Sequence, residues 1–268
     1  MATMISDPKA SVLVEHDEAV AYLTLNRPDK RNALSLETME QLLAALTRIG
    51  AEADIKAVIL GAKGSVFSAG HDLSEMVDRK LDDYEHIFSV CVDMMEAIQA
   101  IPQPVIAAVQ GPATAAGCQL VATCDLAVAA DSAWFATPGV KIGLFCSTPM
   151  VAVSRSIGRK RTMEMLLTGE PISAVDALAA GLINKVVPAD QVMSSCRKLA
   201  DKIVSLSPNV IGLGKAAFYK QIDLPQQEAY AYTAEVMALN AQRRDAHEGI
   251  SAFLEKRKPM WAPRESRP

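Results

Sequence analysis

Two short stretches rich in small residues carry the residue types that could do chemistry in this chain. Residues 66–73 read Val-Phe-Ser-Ala-Gly-His-Asp-Leu, and residues 111–120 read Gly-Pro-Ala-Thr-Ala-Ala-Gly-Cys-Gln-Leu. Each is predicted to turn so that a backbone N–H group points at the same spot. The second turn opens a helix, where unpaired N–H groups favour negative charge. Two convergent N–H groups stabilise a carbonyl oxygen that becomes negatively charged during a reaction.

The polar side chain beside the second turn is an amide, not a carboxylate. Gln119 can hold a ligand by hydrogen bonds, but an amide has no accessible pKa for proton transfer. The sequence therefore predicts a site whose ordinary acid–base chemistry is impaired.

The two turns lie within a region of alternating strand and helix patterns, which predicts a layered α/β core over residues 10–190. The patterns place strands at 12–15, 20–25, 57–60, 105–109 and 126–130, and helices at 36–49, 81–100 and 113–123. From residue 191 to residue 268 the pattern is helical only, which predicts a C-terminal lid or oligomerisation region. Its predicted helices are 192–205, 208–221, 225–243 and 245–257.

The composition excludes several classes of protein. A net charge of −4 and a pI near 5.6 give no electrostatic footprint for nucleic acid, and no apolar run reaches the length of a membrane span. Five cysteines without a C-x-x-C pair favour a reducing compartment and no structural metal. No targeting segment is evident, so we expect a cytoplasmic protein, with a processed organellar form left open.

Two weaker patterns favour ordinary structure over function. The stretch Gly212-Leu-Gly-Lys215 lacks the spacing of a phosphate-binding loop, and no predicted strand precedes it. The basic run 155–161 is typical of a solvated helix face. No G-x-G-x-x-G follows a strand, so a nicotinamide or flavin fold has no support.

Several segments, in order along nearly the whole chain, resemble those of the crotonase (enoyl-CoA hydratase/isomerase) superfamily. They are residues 25–34, 67–73, 111–120, 124–125, 135–138, 167–174, 180–188 and 248–259. The resemblance implies a crotonase-like fold of repeated β-β-α turns that form a superhelix, followed by C-terminal trimerisation helices. It also implies a homotrimer or a dimer of trimers, and a coenzyme A thioester as substrate with no further cofactor.

The resemblance also implies roles for individual residues. The backbone N–H groups of His71 and Ala116 fall at the positions of the oxyanion-hole donors. The positions implied for coenzyme A lie in an early loop, in the first turn and in the last helix, which often reaches the site from a neighbouring subunit. They are Arg31, Ala33, Ala69, Asp72, Leu73, Phe253 and Lys256.

The chain departs from the family pattern where carboxylates are expected. The two usual catalytic glutamates are replaced by Gln119 and Gly139, and a third position, where some members carry aspartate, is Ser147. A positioned general acid or base contributes roughly 10²–10⁴ in rate. We therefore expect a thioester-binding site with weak hydratase activity. The alternative is a non-catalytic acyl-CoA-binding or assembly protein of lipid metabolism.

Other interpretations of these residues stay open in the sequence. The His71 side chain could transfer protons, since histidine titrates near neutral pH. Asp72 and Glu75 fit turn and helix-start positions better than catalytic ones. Cys146 as a nucleophile lacks an activating base in the sequence, and Lys256 also fits a solvated charge. Six methionines could line an acyl pocket or pack in the core: Met76, Met94, Met95, Met150, Met163 and Met165.

Overall fold

The main sheet of the computed structural model, which describes residues 3–4 and 6–264, runs through the centre of the protein. Ten strands are described in this part of the chain: β1 Thr3–Met4, β2 Val12–Asp17, β3 Val20–Leu25, β4 Ala57–Ala62, β5 Val105–Val109, β6 Ala113–Thr114, β7 Leu126–Ala130, β8 Trp134–Ala136, β9 Ile172–Ser173 and β10 Lys185–Val187. Seven form the main sheet in the order β1-β2-β3-β4-β5-β7-β10. Strands β1 to β3 pair antiparallel, and the pairs from β3 to β10 are parallel.

A second, three-stranded sheet lies beside the first and carries part of the site. Its order is β6-β8-β9, with β6 parallel to β8 and β8 antiparallel to β9. Residues 113 and 114 pair with 135 and 136, so the turn after β6 lies next to the segment that follows β8.

Helices cover the sheets in the described part of the chain. They are α1 Leu36–Ala51, α2 Leu81–Ala100, α3 Ala116–Thr123, α4 Pro149–Ser156, α5 Arg159–Thr168, α6 Ala174–Ala180, α7 Val192–Val204, α8 Pro208–Gln221, α9 Gln226–Ala241 and α10 Arg244–Leu254. Helix α1 begins where predicted, because the Ser35 hydroxyl accepts a hydrogen bond from the backbone N–H of Thr38 at 3.2 Å. No helix in the described residues is both long and apolar enough to cross a membrane.

The predicted helix over residues 113–123 is wrong at its start. Ala113 and Thr114 pair as strand β6, and the chain then turns at Ala115, whose φ of 50° lies in the left-handed region. Helix α3 therefore begins at Ala116. A single apolar run hid this break, because neither a short paired strand nor a positive φ at alanine has a sequence signal.

Helix α7 packs against the main sheet, while α8, α9 and α10 pack on one another further out. Cys196 on α7 lies 3.8 Å from the backbone oxygen of Ala107 on β5. The prediction of a helical region that starts at residue 191 stays a prediction, although α7 belongs to the packed core.

The stretch that faintly resembled a phosphate loop is an ordinary part of helix α8. The Lys215 ammonium donates to the backbone oxygens of Ile98 and Gln103 and to the carboxylate of Asp125, at 2.7, 2.9 and 2.6 Å. Tyr219 donates to the other Asp125 oxygen at 2.9 Å. Because these groups are largely buried, the lysine is a structural tie between α8 and the sheet.

Candidate active site

The two turns predicted to do chemistry lie side by side. Ser68 pairs with Ala113 as an isolated parallel bridge, and the backbone N–H of Thr114 donates to the oxygen of Ser68 at 2.9 Å. Gly117 packs directly on the same oxygen, since an added Cβ at Gly117 would clash with it. The two segments can approach this closely only because glycine occupies that position.

The backbone N–H groups of His71 and Ala116 belong to residues that are close in sequence to this contact. An ideal Cβ built on Gly70, whose φ is +90°, would lie 3.2 Å from the backbone nitrogen of Ala116. His71 forms a parallel bridge with Leu34. The Leu34 N–H donates to the oxygen of Gly70, and the Leu34 oxygen accepts from the Asp72 N–H, so this bridge leaves the His71 N–H without an acceptor. Neither N–H has an acceptor among the residues that the structure describes, and Ala116 is the first residue of α3. Both N–H groups are therefore without a partner in the described structure, and their role as oxyanion donors stays a prediction.

A cavity of about 740 Å³ opens beside these groups. Its lining comes from the first turn, from α2 and from a long segment that follows β8. The lining residues are Ala69, His71, Leu73, Met76, Phe88, Ala115, Pro138, Gly139, Lys141, Ile142, Gly143, Leu144, Phe145, Cys146, Ser147, Thr148 and Pro149. Most of these side chains are apolar, so the cavity suits an uncharged ligand group.

The His71 imidazole lies in the wall of this cavity, edge-on to the Phe88 ring, with 5.4 Å between the ring centroids. Both ring nitrogens are buried and have no hydrogen-bond partner among the described residues. Burial lowers the pKa of His71 to about 4, because the charged form loses its hydration. At neutral pH the side chain is an uncharged imidazole.

The wall opposite, residues 138–149, has no room for a side chain at Gly139. An added Cβ there would lie 2.5 Å from the backbone oxygen of Leu144 and 2.9 Å from the Cys146 sulfur. The Gly139 N–H donates to that sulfur at 3.3 Å, and its oxygen accepts from the Leu144 N–H at 2.9 Å. The loop thus occupies the space that a longer side chain at position 139 would need.

Gln119 and Ser147, the other two positions at which family members carry a carboxylate, differ in exposure. Gln119 is buried on the first turn of α3, is not among the lining residues, and its Oε1 has no partner among the described residues. Ser147 is exposed at the cavity, with its hydroxyl 3.4 Å from the backbone oxygen of Phe145.

Five of the residues implied for coenzyme A come together near the first turn. The N–H of Ala69 donates to the oxygen of Arg31 at 3.1 Å, and both Ala69 and Leu73 line the cavity. Arg27 bonds to the oxygen of Ala33 at 3.1 Å and to the carboxylate of Asp72 at the same distance. The early loop and the first turn therefore form one connected edge.

Asp72 and Glu75 serve as local structural residues. Asp72 accepts from the Ser74 N–H and hydroxyl, at 3.2 and 2.6 Å, and the Ser74 contacts together with Arg27 lower the pKa of Asp72. Glu75 accepts from the N–H of Leu36 at the start of α1, at 2.8 Å.

The last helix does not bring its two predicted residues to the cavity. Phe253 is 82% exposed on α10, and Lys256 follows the helix with a φ of 56°. Neither is among the lining residues. Contact of either residue with a nucleotide would need a second copy of the chain, and their role stays a prediction.

The cysteines give no sign of a reactive centre. Burial raises the pKa of the Cys118 thiol to about 12, and burial also raises the pKa of Cys146. The thiolate is the nucleophilic form of cysteine, so neither is activated. In the part of the chain that the structure describes, no cluster of three or more potential ligand side chains could hold a metal ion.

The sequence missed most of the cavity wall. Phe88 and the apolar loop residues Ile142, Leu144 and Phe145 had no motif to mark them, although a glycine-flanked apolar stretch after a strand was a usable signal. Of the methionines considered for an acyl pocket, Met76 lines the cavity, whereas Met94, Met95 and Met165 are buried in the core.

Comparison with known proteins agrees with this geometry. A family model described as "Enoyl-CoA hydratase/isomerase" matches residues 15–264. The chain belongs to the enoyl-CoA hydratase/isomerase family. The mouse enoyl-CoA hydratase domain-containing protein 3 is 47% identical over 258 residues, which cover 96% of this chain and 86% of that protein.

Solved structures of the enoyl-CoA hydratase/isomerase family confirm the crotonase-like α/β fold. An enoyl-CoA hydratase of Mycobacterium smegmatis is 48% identical with a TM-score of 0.92, covering 94% of this chain and 99% of that chain. Human enoyl coenzyme A hydratase domain-containing protein 3 is 47% identical with a TM-score of 0.91, covering 94% of this chain and 100% of that chain.

The expectation of a cytoplasmic protein is contradicted by the family relatives. The enoyl-CoA hydratase domain-containing protein 3 of mouse, rat, frog, human and zebrafish is in each case named as mitochondrial. The cytoplasmic expectation was a default that followed from the lack of an evident targeting segment or membrane span, and that lack carries no information about a compartment.

Proposed function

We propose that this protein binds an acyl-CoA thioester and holds the thioester carbonyl oxygen between the backbone N–H groups of His71 and Ala116. The close approach of Gly70 to the nitrogen of Ala116 carries the proposal, because the adjacent residues His71 and Ala115 both line the cavity. Each such donor contributes about 2.7–4 kcal/mol to an anionic transition state. The site therefore suits reactions that pass through a thioester enolate.

The proposed hydratase activity is weak because the three positions at which family members carry a carboxylate hold none. Addition of water to a conjugated double bond needs a base to take a proton from water and an acid to protonate the α-carbon. Gln119 is an amide, the loop fills the space beside Gly139, and Ser147 carries only a hydroxyl. Loss of one positioned acid or base costs roughly 10²–10⁴ in rate.

Turnover of crotonyl-CoA by the pure protein tests this proposal. We expect a rate at least about 10²-fold below that of a family hydratase with both glutamates, measured side by side. An equal rate would show that Gln119 and Gly139 do not impair hydration.

A panel of acyl-CoA thioesters separates the enzyme from the alternative, a non-catalytic acyl-CoA-binding protein. Binding raises the thermal stability of the protein, and at a ligand concentration 100 times Kd the gain is about 2.7 kcal/mol. Product from at least one thioester, or exchange of its α-protons with heavy water, supports the enzyme. Stabilisation without product or exchange on every thioester supports the binding protein.

We also propose that the protein forms a homotrimer or a dimer of trimers through its C-terminal helices. Large apolar side chains on these helices face solvent in the single chain: Phe218, Tyr230, Met237, Leu239, Phe253 and Leu254. Burial of such side chains against another copy of the chain would remove apolar surface from water. The molar mass in solution from light scattering tests this, and a monomer would contradict it.

A further inference from the structure

The polar groups that line the cavity are few, and their present partners differ. The Lys141 ammonium is 2.7 Å from a Glu170 carboxylate oxygen in a solvent-exposed ion pair. The Ser147 hydroxyl is exposed. His71 is half-buried, both of its ring nitrogens are buried, and neither nitrogen has a hydrogen-bond partner in the described structure. An unpaired buried polar group costs about 1–3 kcal/mol, so a ligand group that bonds to it regains that free energy.

A rotation of the imidazole that turned a nitrogen towards the cavity would cost no hydrogen bond. The imidazole's described ring contact is the edge-on packing with Phe88, and the torsion about Cβ–Cγ in histidine has broad minima. A turn about that bond breaks no hydrogen bond, because there is none to break. The backbone N–H of the same residue keeps its place, since Leu34 fixes it through residues 70 and 72.

The neutral state of the ring decides which substituent it can bind. With a pKa of about 4, caused by burial, the ring offers one N–H donor and one acceptor at neutral pH and no charge. A carboxylate on the acyl group would lie among apolar residues and would compete with Glu170 for the Lys141 ammonium, which is costly. A hydroxyl or keto group can bond to the ring without that cost.

We propose that the His71 imidazole is the specificity-determining side chain of the cavity. It hydrogen-bonds a hydroxyl or keto substituent of the acyl group, and it thereby selects such thioesters over those with a plain alkyl chain or a carboxylate. This inference rests on the proposed binding of acyl-CoA thioesters at the same site. It adds a role for the side chain to the role proposed for the main chain of His71.

Binding of three thioesters with the same coenzyme tests the inference: butyryl-CoA, 3-hydroxybutyryl-CoA and succinyl-CoA, titrated by calorimetry. For the wild type we expect 3-hydroxybutyryl-CoA to bind roughly 2- to 12-fold more tightly than butyryl-CoA, the range of one net hydrogen bond. Succinyl-CoA should bind the most weakly. H71F, which keeps an aromatic ring beside Phe88, should bring the ratio of the two dissociation constants, for 3-hydroxybutyryl-CoA and butyryl-CoA, close to one.

H71N is the conservative control, because an amide is neutral and can donate and accept. H71N should therefore keep part of the preference for the hydroxyl that H71F loses. If the ring had only a structural role, H71N would show no such preference. A preference for the hydroxyl that persists in H71F, or tightest binding of succinyl-CoA by the wild type, would overturn the inference.

A second measurement needs no variant and covers the case in which H71F does not fold. The imidazole ¹⁵N resonances of wild-type His71 should differ between the complexes with 3-hydroxybutyryl-CoA and butyryl-CoA. Identical resonances in the two complexes would also overturn the inference. If butyryl-CoA itself does not bind the wild type, the proposed function fails as well, which distinguishes the two failures.

Discussion

The two sides of the cavity are built in different ways. On one side, the turns at residues 68–72 and 113–117 are joined by main-chain hydrogen bonds and by glycine contacts, and they leave two N–H groups unpaired. On the other side, residues 138–149 form an apolar loop that closes on Gly139 and carries no carboxylate. Stabilisation of an oxygen needs only backbone, whereas proton transfer needs specific side chains. The first capacity can therefore persist in a chain that has lost the second.

The largest expected effect comes from adding an acid to the loop side. Ser147 is exposed at the cavity, so S147D places a carboxylate there without the clash that any side chain at Gly139 would meet. We expect exchange of the α-protons of butyryl-CoA in heavy water to rise by about 10² or more. S147N, which has the same shape without a charge, is the matched control. Equal exchange in both variants would show that a carboxylate at this position cannot reach the α-carbon.

The next effect is the pH dependence that His71 gives to the free energy of unfolding. The folded-state pKa of His71, about 4, lies below the value of 6.5 for an unperturbed histidine, so the unfolded chain binds a proton first as pH falls. The contribution of the uncharged His71 to the free energy of unfolding is fully present above pH 6.5 and is lost as the pH falls from 6.5 to about 4. The complete loss amounts to about 3 kcal/mol of unfolding free energy.

Chemical denaturation of the wild type and H71F at pH 7 and pH 4.5 checks this prediction. The difference between the two proteins isolates His71 from the other ionisable side chains of the lining, Lys141 and Cys146. The wild type should lose more stability than H71F on acidification. The same loss in both would mean that the imidazole already charges freely in the folded protein.

A smaller effect is expected when a glycine on either side of the cavity is replaced by alanine. G117A forces the first turn away from α3, because the new Cβ meets the Ser68 oxygen, and G139A pushes the loop outward. Overpacking of this kind costs about 1–3 kcal/mol of stability. Both variants should be destabilised, but only G117A should weaken binding of butyryl-CoA.

The control for these glycine variants is G214A, on the exposed face of α8. An added Cβ there meets nothing within 4 Å, and alanine favours a helix over glycine. G214A should therefore keep both stability and binding. Equal loss of binding in G117A and G139A would remove the distinction between the two sides.

Much of the fold could be predicted because its elements have strong periodic or apolar patterns. The predicted bounds of α2 and of strands β5 and β7 match the structure, and α1 starts at its expected Ser35 cap. Segment β6 could not be predicted, because its two residues are held by pairing with β8 and not by local preference.

The candidate site was predictable only where small residues marked it. Small residues, Gly70 and Gly117 among them, marked the two turns, and in the structure an added Cβ at either glycine would meet the other turn. The loop wall and Phe88 come together through tertiary packing, which leaves no local pattern. The imidazole state of His71 is likewise a consequence of burial, which the sequence around it does not reveal.

The infrared spectrum of a thioester labelled with ¹³C at its carbonyl tests the central claim most directly. When labelled butyryl-CoA binds, two N–H groups at His71 and Ala116 should polarise the C=O bond and shift its stretching band to lower frequency. The same shift should persist in G139A and diminish in G117A. A band at the same frequency in the bound and the free thioester would contradict the account.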